Sequence, residues 1–243
     1  MSIKGLKEIQ EKSAEAAELA NQNRFKYLYL GDGETANIRF IDDDEVLQTK
    51  IHEYEELTPI GGIKYRKAYC INDLTGAPCK YCASGTVRRN VFVFLTYVYN
   101  IIHKVQNPEL NTNPDALKWT PIKQGNQTFY KEDVNNVRIL RLKWGKDFIV
   151  KNTIMQFIKT YNTLCDRDYV FARTGVKINT SYTFVPKDAT STPQEIVDAK
   201  KDLPHIDEIL TNTNLQKQAN NNKILPDKEV SKSSSDKEVE DLF

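Results

Sequence analysis

The chain has 243 residues, enough for one substantial core with flexible ends, and 40 % of them are apolar, including 12 Tyr, 10 Phe and 2 Trp. Ten glycines and nine prolines exclude collagen-like and low-complexity classes, and no run approaches the roughly 18 apolar residues of a membrane span. The net charge of +1 is unevenly divided: six acids and three lysines between Asp227 and Phe243 give −3, so everything before sums to +4.

Residues 1–22 predict a helix, with Leu6, Ile9 and Leu19 among alanines and charges. This opening stretch lacks the apolar run of a signal peptide, so a cytoplasmic location is expected, and the four cysteines then read as metal ligands rather than disulfides. A β-rich stretch follows. KYLYL (26–30) and ANIRFI (36–41) flank Gly31-Asp32-Gly33-Glu34 and predict a hairpin. VLQTKIHEY (46–54), RRNVFVFLTYVYNII (88–102), VRILRL (137–142), YVFAR (169–173) and SYTFVP (181–186) supply further strands. Residues 147–164 have apolar positions at 149, 150, 154, 157, 158 and 161, a helical spacing. The expectation is a mainly β protein: an OB-fold-like barrel over residues 23–190, with one internal helix and an inserted zinc-binding loop at 52–87. Short helices are expected within 191–210, at Pro193–Lys200 and Pro204–Leu210, each opened by a proline. Residues 211–243, rich in Asn, Gln, Lys and Ser, predict a disordered linker and acidic tail.

The sharpest motif is His52, Cys70, Cys79 and Cys82, spaced H-x17-C-x8-C-x2-C. Cys79 and Cys82 form a knuckle whose thiolates can face one tetrahedral zinc, and a turn through Asn72, Asp73 and Gly76 can return Cys70 to it. A loop so rich in Gly and Pro cannot bury a core of its own, so one structural zinc is expected to staple it. His103 is the other candidate for the fourth ligand, and Cys165 reads as a buried apolar residue. Pro78-Cys79-Lys80-Tyr81-Cys82 also matches half of a nucleoside-deaminase signature. The H-x-E half is missing, however, and a third cysteine fills the position a catalytic zinc keeps for water. With no nucleophile elbow, phosphate-binding loop or H-E-x-x-H either, no enzyme is expected.

Binding single strands without sequence preference needs cations for the phosphates and flat side chains for the bases. Lys64, Tyr65, Arg66, Lys67 and Tyr69 interleave both along one segment. Arg88 and Arg89 precede Phe92, Phe94, Tyr97 and Tyr99, while Arg138, Arg141, Lys143, Trp144 and Lys146 form a third group and Arg173 follows Tyr169 and Phe171. Phe92, Phe94, Phe171 and Phe184 fit a barrel interior better than a stacking platform, which leaves Tyr65, Tyr69, Tyr99 and Trp144 as the candidate stacking residues. At the end of the chain, Asp236, Glu238, Glu240 and Asp241 lead to Leu242 and Phe243, a pattern suited to docking a partner. The alternative is a zinc-containing RNA-binding or transcription-regulatory module, which needs a recognition helix rich in cations; none stands out.

The ordered His52, Cys70, Cys79 and Cys82, the aromatic-rich strand after the knuckle and the terminus DKEVEDLF together resemble the zinc-containing single-stranded DNA-binding proteins of T-even and related tailed phages. GDGETANIRF (31–40) and RDYVFARTG (167–175) resemble segments of a broader phage group. The resemblance implies an OB-fold core, structural zinc and roles in phage DNA replication, recombination and repair. It also implies a tail that recruits phage or host replication proteins, and self-association on DNA. The His-to-Cys interval is longer than in the T-even pattern, and residues 1–22 do not match that group's basic N-terminal arm.

Overall fold

A Val-, Phe- and Tyr-rich run of 17 residues, Val87–His103, makes the spine of the structure, here a computed structural model that describes residues 25–58, 61–143, 149–176, 179–201 and 203–212. The expected helix at 1–22, Trp144, and the linker and tail from 213 onward lie outside these residues. In chain order the strands are β1 (Lys26–Tyr27), β2 (Thr35–Phe40), β3 (Val46–Leu57), β4 (Ile63–Tyr69), β5 (Val87–His103), β6 (Thr120–Gln124), β7 (Gln127–Lys143), β8 (Arg167–Thr174) and β9 (Ser181–Ala189). Helices α1 (Ile71–Thr75) and α2 (Lys80–Ala83) sit between β4 and β5, α3 (Met155–Tyr161) precedes β8, and α4 (Gln194–Lys201) follows β9.

The strands form one mixed sheet of order β1-β7-β5-β2-β8-β9, with β3 and β4 continuing from β5 and β6 pairing with β7. Strand β5 is long enough to serve three neighbours. From Val91 to His103 it pairs with β7, while its other edge is shared, first by β3 up to Phe94 and then by β2 from Thr96. Among the described residues the ladder is an open path, not the closed ring that a full barrel requires. The expected hairpin across Gly31–Glu34 is also absent. β1 pairs parallel with β7 and β2 pairs with β5 and β8, so the turn carries the chain between strands that are not neighbours. The β-branched and aromatic content of the two segments is right for strands, but a Gly-Asp-Gly turn does not by itself fix which strands pair.

Both faces of the sheet are buried over part of their area. One core holds Ile38, Phe40, Phe94, Val98, Ile101, Leu140, Leu142, Phe171 and Phe184, and Phe92 packs against it, as their alternation predicts. The opposite core takes Val91, Val93, Leu95, Tyr97, Val137 and Ile139, and is roofed by Ile196 of α4 and by Ile206, Ile209 and Leu210 of helical residues 206–212. The parity of β5 changes at Tyr99, where its register with both β2 and β7 slips. Val98 and Ile101 therefore face the same core although they are three residues apart, which is what an inserted residue does to a period of two. Across the sheet, Asn135 of β7 absorbs the irregularity at φ 42°.

The internal helix begins as a π-helical turn over Ile149–Ile154 and continues as α3, which stops at Asn162 in the left-handed region (φ 64°). The expected helix therefore ends short of Leu164, which turns into the core instead. Arg39 ties the C-terminal helices to the sheet. Its fully buried guanidinium donates to the carbonyl oxygens of Cys165, Thr190 and Ser191 and to the Thr190 hydroxyl, and lies 3.5 Å from Asp168. A charge held this deep needs such a set of acceptors, and they fix the exit of β9 toward α4. Among the described residues no helix is long and apolar enough to cross a membrane.

Candidate functional site

The loop between β4 and β5 is too small to have a core of its own. The small apolar cluster around it amounts to Ala68, Cys70, Cys79 and Tyr81, with Tyr54, Ile71 and Cys82 against them, and Leu74 packs on the second main core. Backbone and carboxylate contacts set its course. The Cys70 N–H donates to the Lys50 carbonyl, and the Asp73 carboxylate accepts from the Thr49 hydroxyl and the Lys50 N–H and ammonium, pinning α1 to β3. Gly76, at φ 75°, closes α1 in the left-handed region that an L side chain rarely adopts, and turns the chain toward Cys79.

This path brings His52, Cys70, Cys79 and Cys82 together, with their ligand atoms all within 4.8 Å of one another. The His52 Nε2 lies 3.5 Å from the Cys79 Sγ and 3.6 Å from the Cys82 Sγ, and the Cys70 and Cys82 sulfurs are 3.4 Å apart. Ligands at about 2.3 Å (sulfur) and 2.0–2.1 Å (nitrogen) from a tetrahedral centre stand about 3.6 Å apart for N to S and about 3.8 Å for S to S. The four side chains can therefore hold a metal ion, and a closed set of three thiolates and an imidazole leaves no position for reacting water. The imidazole tautomer is fixed from behind. The Thr86 hydroxyl donates to the Tyr81 carbonyl at 2.8 Å, so toward the His52 Nδ1, also at 2.8 Å, it accepts. Nδ1 then carries the proton and Nε2 presents its lone pair to the cysteines. Burial holds His52 below its ordinary pKa and so neutral, as a ligand must be. It pushes Cys70 up to about 11, whereas at Cys79 the N–H groups of Cys82, Ile71 and Tyr81 outweigh burial and draw the thiol down.

His103, the other candidate ligand, sits at the opposite end of β5 from the knuckle. Its Nδ1 is 2.9 Å from a Glu34 carboxylate oxygen and its Nε2 3.0 Å from one of Glu132, and the ring stacks on Trp119 at 3.8 Å. Cys165, expected to be buried, is only partly so: it packs against the first core, and burial pushes its thiol up to about 12.

Beyond the roof of helices, the second face of the sheet is open and strongly basic. Residues paired across strands share a face, so Glu53 lies with Lys67 on one side and Val87 on the other, and Lys143 pairs with Val91 and Arg141 with Val93. Glu53 collects three cations: the Arg89 Nε at 2.6 Å on one oxygen, and the Lys67 and Lys143 ammoniums at 3.4 and 3.5 Å on the other. One carboxylate cannot neutralise three cations. Burial first, and then the proximity of Lys143 and Arg141, hold Lys67 below its ordinary pKa. Next to this cluster, Arg141 lies over the Tyr27 ring at 5.3 Å and the Tyr69 ring at 5.9 Å, and Tyr29 packs beside Tyr27 with 68 % of its surface exposed.

The structure thus gathers Tyr65, Lys67, Arg89 and Arg141 from the expected nucleic-acid residues on one face. Tyr69 shares that face but is buried, so it supports Arg141 rather than stacking on a base. Lys64, Arg66, Arg88 and Arg138 lie on the reverse face, because each is in register with a residue of the opposite parity: Glu56, Tyr54, His52 and Thr96. Tyr99 is occupied by its hydroxyl bond to Asp168, and Arg173 by the Leu30 carbonyl. Sequence reasoning does not single out Tyr27, Tyr29 or Glu53. The alternation in KYLYL, with Leu28 and Leu30 turned into the first core, is the signal that places both tyrosines on the opposite face, Tyr27 against the second core and Tyr29 in the open. No protein-family model, curated protein or solved structure matches the chain.

Proposed function

We propose that the chain binds single-stranded DNA along the open face of β4, β3, β5 and β7, with little sequence preference and without catalysis. The observation that carries this reading is the excess of charge around Glu53: Lys67, Arg89 and Lys143 share one carboxylate, and Arg141 adds a further cation beside them. Such a cluster is stabilised when a polyanion replaces the missing negative charge. Flanking tyrosines supply base-stacking surface, as Tyr29 and Tyr65 are mostly exposed. A flat sheet face with aromatic and cationic side chains suits unpaired bases, which can splay outward, better than the grooved surface of a duplex.

In this reading the metal is zinc, held by His52, Cys70, Cys79 and Cys82, and its part is to fix the loop between β4 and β5. The wall of β5, bent at Tyr99 and shared among β2, β3 and β7, is the element around which a partly open OB-type barrel is built. The resemblance to phage single-stranded DNA-binding proteins adds replication, recombination and repair as the setting, with the residues from Asp236 to Phe243 docking replication partners. The test is a titration of the intrinsic Tyr and Trp fluorescence with several homopolymer single strands and with duplex. Quenching by all the single strands, and little by duplex, is expected. Equal or stronger binding of duplex overturns the reading.

A further inference from the structure

The ladder between β3 and β5 ends at Glu53–Val87, but the ladder between β3 and β4 runs on to Leu57–Ile63. The hairpin therefore projects beyond the sheet by the last four residues of β3, about 13 Å at roughly 3.3 Å per residue. On the face it shares with Glu53 and Lys67, this projection carries Leu57, Tyr65 and Ile63, exposed by 75 %, 77 % and 59 %, together with Glu55, whose carboxylate accepts from the Tyr65 hydroxyl and leaves the ring face open. Three large apolar side chains in water on a narrow two-stranded arm are unusual, because such an arm buries little of its own surface. The reverse face is braced. Arg66 is paired with Glu56 at 2.5 Å across the arm, and Tyr54 stacks on Tyr81 of α2 at 4.6 Å, so the arm leans on the loop that holds the three metal-ligating cysteines.

Resting on the single-strand reading above, we propose that this projecting hairpin is a strand-selecting finger whose Leu57, Ile63 and Tyr65 pack against unpaired bases. Phosphates held at Lys67 and Arg89 bring the adjoining bases onto these side chains, which are continuous with the cationic cluster on the same face. A second copy of the chain is the poorer occupant. Strand β4, whose other edge has no partner among the described residues, carries Lys64, Arg66 and Lys67, and cations on an edge strand oppose edge-to-edge pairing while favouring a polyanion. Duplex DNA keeps its bases stacked and gives the finger nothing to pack against, so the apolar tip adds affinity for single strands only.

The experiment compares the full-length protein with Tyr65→Ala and with the double variant Leu57→Ser/Ile63→Ser. It measures fluorescence anisotropy of a labelled thymidine homopolymer and of a duplex of equal length, at several salt concentrations. Thermal melting confirms that each variant is folded, and sedimentation gives the oligomeric state. Each variant should bind the single strand at least about five-fold more weakly, the lower end of a base-stacking contribution. The slope of log affinity against log salt and the duplex affinity should not change. Finger variants that bind the single strand as well as wild type overturn the inference and leave the cationic face as the binding site. Wild-type protein that binds neither form overturns the single-strand reading itself. Self-association of the wild type that the finger variants lose assigns the tip to a second copy and overturns the finger.

Discussion

Replacing His103 with Gln tests the account of the second histidine through its pH dependence. His103 lies between Glu34 and Glu132, with Trp119 on its face, and is largely screened from water. Burial alone lowers its pKa, but hydrogen bonds and the two carboxylates outweigh burial and raise it from 6.5 to about 9. Since the folded value lies above the unfolded one, the stabilisation is complete below pH 6.5 and disappears as pH rises through about 9. A difference of 2.5 between 9 and 6.5 corresponds to about 3 kcal/mol at 1.36 kcal/mol per unit. Urea unfolding of both proteins at pH 6, 8 and 10 should show wild-type stability falling relative to His103→Gln by that order between the first and last. At pH 6 the variant should be the less stable, because Glu34 and Glu132 then face each other without a cation between them. A constant difference between the two proteins across this range, or an imidazole that titrates below pH 7 by NMR, refutes the reasoning.

Arg39→Leu should cost about 3–5 kcal/mol in urea unfolding, since it strands buried acceptors at Cys165, Thr190 and Ser191 as well as Asp168. A cost below about 1 kcal/mol means those groups find other partners. Metal analysis should give one zinc per chain and none in Cys79→Ser. Chelation should disorder the loop around Tyr81 while the two main cores, to which the loop contributes only Leu74, keep their near-ultraviolet signal. Thr86→Val removes the acceptor behind His52 Nδ1 and should weaken metal binding about 10–100-fold in competition with a chromophoric chelator. Unchanged affinity refutes the tautomer assignment.

The metal-binding group was legible because its signal is local. The two-residue interval between Cys79 and Cys82 places two thiols on one turn wherever it occurs, and the Gly-rich loop says why a staple is needed. Strand β5 was legible for a similar reason, since a run of alternating Val, Phe and Tyr has few other uses. By contrast, β6 and the first half of β7 carry Thr, Lys, Gln, Glu and Asn, because they form an exposed ribbon that buries little on either side. No hydrophobic alternation marks them. The pairing of β1 with β7 joins Lys26 to Arg138 across more than a hundred residues, and nothing local encodes it. The faces were least legible of all. A segment such as Ile63–Tyr69 reads as a continuous basic-aromatic stripe, but its pleat sends Lys64 and Arg66 one way and Tyr65, Lys67 and Tyr69 the other. Tyr99 looked like a stacking residue until the slip of β5 turned it toward Asp168.

The salt dependence of single-strand binding tests the cationic face most directly. If Lys67, Arg89, Lys143 and Arg141 each meet a phosphate, log affinity for a homopolymer single strand should fall with log salt at a slope of about −3, taking about −0.7 per contact. The variant Lys67→Ala/Arg89→Ala/Lys143→Ala, confirmed folded by circular dichroism, should lose most of that slope and retain about −0.7, the share of the Arg141 contact that remains. A wild-type slope near zero, or a triple variant whose slope equals that of the wild type, places the phosphates elsewhere and contradicts the account.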